Sequence, residues 1–302
     1  MFLKLKENKI KKIKKNFDLK FIIFYVNSMT IIFRAKTQEA YVIKILAELF
    51  SNNLKTGCFV LSEEGIFLCM PDSHNSILID INLKSENFKT YKFNTKKMYI
   101  GINLAHLHRM TKFIKKKDQA ELFIDSENPN ELQIKVIPKE NNKVVISSVT
   151  IQNIQNIEVE LPSGYTKPVI VNSSDFQKLV KEMNNIGNII KVKSSENQIE
   201  FSCNAGGILK RQVKFGECDE DDDADEEKTE FTQEYLTEHL SRITKLSGLS
   251  NNMQIYHLPD KPLKFVSNVG SLGKISIFIK SKDEIEKDNL NNNAFDSEYD
   301  SE

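Results

Sequence analysis

The chain states one structural unit twice. Residues Thr37 to Leu83 read as an amphipathic helix, a strand closed by Ser62-Glu63-Glu64-Gly65, and a second strand. Residues Asn172 to Phe215 read in the same order, with Ser194-Ser195-Glu196-Asn197 as the turn and Ile199 to Cys203 standing where Ile66 to Met70 stood. Each copy is followed by a more basic helix, predicted over Asn103 to Lys117 and Gln233 to Ser247. Internal repetition on this scale means one supersecondary unit used twice. A chain of 302 residues accommodates two such units, each with a core of ordinary size.

Between the helices, short runs alternate apolar and polar residues, which marks sheets with one buried and one wet face. The first half offers strands at Met29 to Arg34, Gly57 to Ser62, Gly65 to Met70, Ser76 to Leu83, Met98 to Ile102, Glu121 to Asp125 and Glu131 to Pro138. The second offers Pro168 to Val171, Asn188 to Lys193, Gln198 to Cys203, Leu209 to Phe215, Met253 to Leu258, Leu263 to Ser267 and Lys274 to Lys280. The fold class is therefore α+β, with helices packed on antiparallel sheets in two similar domains. The division reads 1–28 as a basic N-terminal extension, disordered or not translated, and 29–142 as the first domain. Residues 143–162 form an extended connector and edge strand, 163–282 the second domain, and 283–302 an acidic tail expected to be disordered from its composition.

Equal numbers of acidic and basic side chains, 42 of each, conceal an uneven distribution. Lysines crowd Lys4 to Lys20, while acids crowd Glu217 to Glu230 and return after Asp283, so electrostatics must be judged face by face. The cysteines Cys58, Cys69, Cys203 and Cys218 are too far apart for a metal clip and read as reduced. The apolar run Phe21 to Val26 is far short of a membrane span and lacks a small-residue cleavage site after it.

Projected at 100° per residue, each helix splits into two faces. Val42, Ile45, Leu46 and Leu49 oppose Lys44; Leu104, Leu107, Thr111 and Ile114 oppose Arg109, Lys112 and Lys116. Phe176, Leu179, Val180 and Met183 oppose Lys178 and Lys181; Leu236, Leu240 and Ile243 oppose Arg242 and Lys245. One such face is what any solvated helix shows. Four equivalent helices of the same sign in a neutral chain point to a polyanion, and point charges without interleaved aromatics suit phosphates rather than base edges.

The strings Gly65-Ile-Phe-Leu-Cys-Met-Pro-Asp-Ser-His74, Glu86-Asn-Phe-Lys-Thr-Tyr-Lys92, Gly101-Ile-Asn-Leu104, Leu161 to Gly164, Asn172 to Gly187 and Gly270 to Ile279, in this order, resemble the eukaryotic-type sliding clamp family, proliferating cell nuclear antigen. The likeness spans Met29 to Lys282. It implies the DNA clamp fold, a head-to-tail homotrimeric ring with helices lining a hole around double-stranded DNA. It also implies a processivity factor without enzymatic activity or cofactor, placed on DNA by a clamp loader and tethering polymerases and repair enzymes. Lys44, Arg109, Lys112, Lys178, Lys181, Arg242 and Lys245 would then face DNA. The subunit interface would pair Val144, Ile146 and Val149 with Leu209, Arg211 and Val213 of a neighbour. Partners with short hydrophobic motifs would dock against Met70, His74, Val159, Leu161, Pro262, Phe278 and Ile279. The implied compartment is the nucleus, or alternatively a cytoplasmic viral replication site. A subunit of a checkpoint-type heterotrimeric clamp, or a viral processivity factor without a ring, remains the alternative.

Three features depart from the family. The acid block stands where relatives have an apolar strand before the last helix, Ile279-Lys280-Ser281-Lys282 lacks the usual proline, and the connector carries Asn and Gln where Asp is common. No catalytic constellation stands out. Gly270-Ser-Leu-Gly273-Lys274 lacks phosphate-loop spacing and reads as a hairpin turn, and His106 and His108 are two apart on a helix and cannot share a metal.

Overall fold

The computed structural model describes residues 31–139, 143–195, 197–216 and 230–299. The basic extension 1–28 and the acid block up to residue 229 lie outside these. The first domain runs β1 (Ile31–Thr37), α1 (Ala40–Asn53), β2 (Thr56–Ser62), β3 (Gly65–Pro71), β4 (Ile77–Lys84), β5 (Thr90–Phe93), β6 (Lys97–Asn103), α2 (Leu104–Thr111), β7 (Gln119–Asp125), β8 (Glu131–Ile137) and β9 (Val145–Gln152). The second runs β10 (Val169–Asn172), α3 (Ser173–Asn184), β11 (Ile189–Ser194), β12 (Gln198–Ala205), β13 (Leu209–Gly216), β14 (Phe231–Leu236), α4 (Thr237–Arg242), a 3₁₀ turn at Thr244–Gly248, β15 (Asn252–Tyr256), β16 (Leu263–Val269) and β17 (Gly273–Ile279). Helix α5 (Lys282–Tyr299) follows. Apart from β5, each strand and helix of the first domain has its counterpart in the second, so the repeat read from the sequence is a repeat of topology.

The two halves share one sheet. Strand β17 pairs antiparallel with β4, from Gly273 opposite Leu83 to Ile279 opposite Ile77. The inward residues Ile77, Ile79, Ile81, Ile275, Ile277 and Ile279 are at most 1% exposed. Each such side chain contributes about 1.5–3 kcal/mol through burial, so the interdomain seam is core and not a hinge. A second sheet orders β13-β12-β11-β14. The turn before β17 is clasped from the other domain: Glu39 accepts from the backbone N–H and the hydroxyl of Ser271, each at 2.9 Å. Gly270, at φ +53, supplies the left-handed bend that the turn needs.

Helices α1 to α4 form one layer, with α1 packed against α2 and the 3₁₀ turn, and α3 against α4. This explains why α1 is buried on two faces instead of one, including Ile43, Ala47 and Phe50. Other expectations fail at element ends. Residues Gln233 to Leu236 are not helical but complete β14, paired along β11 with Tyr235 fully buried, so Leu236 ends a strand and the sheet keeps its fourth member. Helix α2 stops at Thr111, whose hydroxyl bonds back to the Leu107 carbonyl at 2.9 Å. The tail is helical where disorder was expected, because Ser281 and Glu284 form a capping box: Ser281 N–H donates to Glu284 Oε2 at 2.7 Å and Glu284 N–H to Ser281 Oγ at 3.2 Å. Lys280 adds a 2.6 Å ion pair to Asp288.

The connector leaves β9 and crosses the outer face of the sheet. Ile154 sits in a notch over Gly101, where a Cβ would stand 2.4 Å from Ile154 Cδ1 and 2.6 Å from the Gln152 carbonyl oxygen. Gly101→Val therefore lifts the connector: we expect a loss of about 1–3 kcal/mol and faster proteolysis between residues 153 and 168, measured by thermal melting and limited digestion.

In the second domain His257 is buried, stacks on Phe231 with centroids 4.2 Å apart, and places Nδ1 3.0 Å from Ser194 Oγ. Burial pulls its pKa from 6.5 down to about 3. Between those values the unfolded chain binds a proton that the native chain does not, so stability falls as pH falls from about 6.5 toward 3. Relative to His257→Phe, the parent should lose up to about 1.4 kcal/mol per pH unit in that window, read from denaturant melts.

Candidate nucleic-acid and partner interfaces

The helix layer presents the cations unequally. Arg109 on α2, Lys112 just past its end and Lys181 on α3 are exposed and have no acidic partner within 4 Å among the described residues. Lys178 is also exposed and leans 3.2 Å from Asp175, an i,i+3 pair of little strength in water. Lys44 is half-buried, donates to the Ile114 carbonyl at 3.2 Å and lies 5.5 Å from the Tyr41 ring centre. Lys245 pairs with Glu48 at 2.7 Å, joining the last helical turn to α1. Arg242 bonds Glu238 and reaches Asp72, whose carboxylate is only 1% exposed, at 3.4 Å. Arg242 is thus mainly a strut between the domains, while Arg109, Lys112, Lys178 and Lys181 are available to phosphates. The same surface carries exposed Lys115, Lys116 and Lys117 just beyond α2.

Among the described residues β5, β10, β13 and β14 end their sheets, and β9 is paired on one side over only part of its length. Among the described residues β13 pairs with β12 alone, and its pattern is mostly exposed, with Leu209 at 56%. Strand β9 pairs with β8 along its length but meets β6 only at Ile151 and Gln152. Val144 and Ile146 are 46% and 58% exposed beside that edge. Of the remaining expected interface residues, Arg211 is exposed but tied to Glu182, and Val213 is half-buried against its own core. Val149 is 4% exposed and points into its own domain, so it belongs to the core and not to an interface.

The outer face of the shared sheet is a groove under the connector. Alternation along β4 and β17 puts Leu78, Asp80 and Phe278 on the outer face, opposite the isoleucines; Leu78 and Asp80 are half-buried, and Phe278 is only 4% exposed. The same alternation corrects two sequence expectations. Ile279 is fully buried in the seam, and Met70 shares the inward parity of Ile66 and Leu68, packs on the core and accepts the Cys58 N–H at its sulfur. His74 and Leu161 are exposed on the rim, and Val159 and Pro262 are half-buried. Sequence reading missed Tyr165, which roofs Phe278 at 6.0 Å between ring centres and donates its hydroxyl to the Pro262 carbonyl at 2.8 Å. It also missed Lys264, whose ammonium lies 4.7, 5.1 and 5.3 Å from the ring centres of Tyr165, Tyr256 and Phe278. Burial lowers the Lys264 pKa against the opposing pull of Asp80, and burial raises the Asp80 pKa against the opposing pull of Lys264. No cluster of His, Cys, Asp and Glu among the described residues is arranged to hold a metal.

Comparison with known proteins agrees with this architecture. The family model for the N-terminal domain of proliferating cell nuclear antigen matches residues 32–160, and that for its C-terminal domain residues 161–282. An uncharacterized protein, 436R, of Invertebrate iridescent virus 6 is 27% identical over 253 residues, covering 77% of this chain and 82% of its own. A probable DNA polymerase sliding clamp 1 of Paramecium bursaria Chlorella virus 1 is 20% identical, covering 82% and 96%. The crystal structure of Proliferating Cellular Nuclear Antigen from Entamoeba histolytica superposes with a TM-score of 0.71 at 18% identity, covering 83% of this chain and 99% of that one. With both family models matching end to end over the two repeats, the chain belongs to the proliferating cell nuclear antigen family.

Proposed function

We propose that this chain is the subunit of a DNA sliding clamp, three copies closing head to tail around duplex DNA and tethering polymerases and other replication proteins to it. The observation that carries closure is a matter of repeat symmetry. The last strand of the second repeat, β17, pairs with β4 of the first. The equivalent strands are β9 and β13, and among the described residues β13 has one free edge and β9 one edge free except at Ile151 and Gln152. Joining them within one chain is not what the structure does; joining them between chains repeats the internal seam and removes the liability of an open edge. Such a heterologous contact closes into a ring when its rotation divides a full turn. The viral relative named as a probable DNA polymerase sliding clamp supports the same reading.

In such a ring the helix layer lines the hole. Arg109, Lys112, Lys178 and Lys181 would meet phosphates without reading bases, so the contacts permit sliding while the ring itself retains the duplex. The groove under the connector would receive the hydrophobic motifs of polymerases and other partners, and a clamp loader would open the ring. Both named relatives are viral, which supports a viral replication site over the nucleus expected from the family alone.

Light scattering on the purified protein should give a particle of about 104 kDa, three copies of the 34.8 kDa chain. Ile146→Arg combined with Leu209→Arg should return monomers with unchanged helix content; a monomeric parent at micromolar concentration would sink the ring. Lys112→Glu with Lys181→Glu should leave melting unchanged but weaken retention on nicked circular DNA and flatten its dependence on salt. Arg242→Ala should do the opposite, costing about 2 kcal/mol of stability by removing the cation beside the buried Asp72 carboxylate, which keeps only the backbone N–H groups of Ser76 and Ile77.

A further inference from the structure

We infer that the outer groove selects partner segments that place a carboxylate on Lys264. The inference rests on the reading of that groove as the partner-binding surface and adds a chemical requirement to it. Lys264 stands on β16 opposite Phe278, on the same outward face as Leu78 and Asp80. Its ammonium is walled by the rings of Tyr165, Tyr256 and Phe278, and among the described residues it has no hydrogen-bond acceptor and no carboxylate within 4 Å. Asp80 shares the face but stands on β4 opposite Ser276, with β17 between the two strands, and acts on Lys264 only through space.

Three aromatic faces stabilise a cation while water still reaches it. An apolar plug laid over the groove would remove that water and leave a charge without a partner, which is strongly unfavourable. A plug that brings its own carboxylate replaces the lost hydration with an ion pair in a low-dielectric site. Over the part whose side chains are described, the chain's own tail places no carboxylate within 4 Å of Lys264, and three of its four acids are engaged elsewhere, Asp283 being exposed. Glu284 caps Ser281, Asp288 pairs with Lys280 and Glu286 with Lys282. The occupant is therefore a partner segment with an acidic side chain next to its hydrophobic anchor.

The test uses the assembled clamp and labelled ten-residue peptides with two adjacent aromatic anchors, Glu or Gln being placed in turn at each flanking position, with binding followed by fluorescence anisotropy at fixed ionic strength. At one position the Glu peptide should bind about tenfold tighter than its Gln counterpart. That preference should vanish in Lys264→Met, persist in Lys264→Arg and widen in Asp80→Asn, where a competing negative charge has gone. Equal binding of the Glu and Gln peptides at every position, or a preference that survives Lys264→Met, overturns the inference while leaving the groove a partner site. Failure of every peptide to bind overturns the groove reading itself.

Discussion

Everything in this molecule is organised by the pairing of β17 with β4. It fuses two repeats into one sheet, buries six isoleucines on the inner side and fixes the helices of both domains in a single layer. The clasp of Glu39 on the Ser271 turn and the reach of Arg242 to Asp72 secure the two ends of that seam from opposite domains. Backbone pairing alone would allow a slip; a shift by one residue would turn every isoleucine to water, so burial locks the register.

The same seam separates two chemistries. On its inner side the helices carry cations at their exposed surface. On its outer side the alternation leaves a mixed floor of Leu78, Asp80, Phe278 and Lys264 beneath the connector. The connector holds position through contacts at its two ends, Ile154 in the Gly101 notch and Tyr165 on the Pro262 carbonyl. Between them Ile157 and Leu161 stay exposed. A strap pinned at its ends and apolar in its middle suits a surface that another chain must enter.

How much of this was legible in the sequence depended on distance along the chain. Alternation in Ile77 to Leu83 and Ile275 to Ile279 declared the strands, and the repeated helix-strand-strand order declared the fold. The outward parity that these same strands define would have excluded Met70 and Ile279 from the groove; choosing residues for being apolar did not. Tyr165 and Lys264 gave no local signal, because the partners of the tyrosine lie 97 residues away and the lysine acquires its rings only by cross-strand packing. Arg242 read as an outward cation since Asp72, 170 residues distant, cannot be seen on a helical wheel. The helical tail was the reverse case. Its Ser281 to Glu284 capping box was in plain view, and acidic composition outweighed it.

The open edges of β9 and β13 carry a consequence for how a ring would be breached. The seam inside each chain is sealed by a covalent connector, an interdomain clasp and a continuous dry core. The seam between chains would rest on a strand ladder with only partly exposed flanking side chains such as Ile146 and Leu209. Two joints of the same topology would thus differ in strength, and force applied anywhere on the ring would collect at the weaker one. In such a ring, a machine threading DNA would need to unfold nothing and would have only to peel one β9 from one β13, as a zip fastener parts at the end that was never sewn.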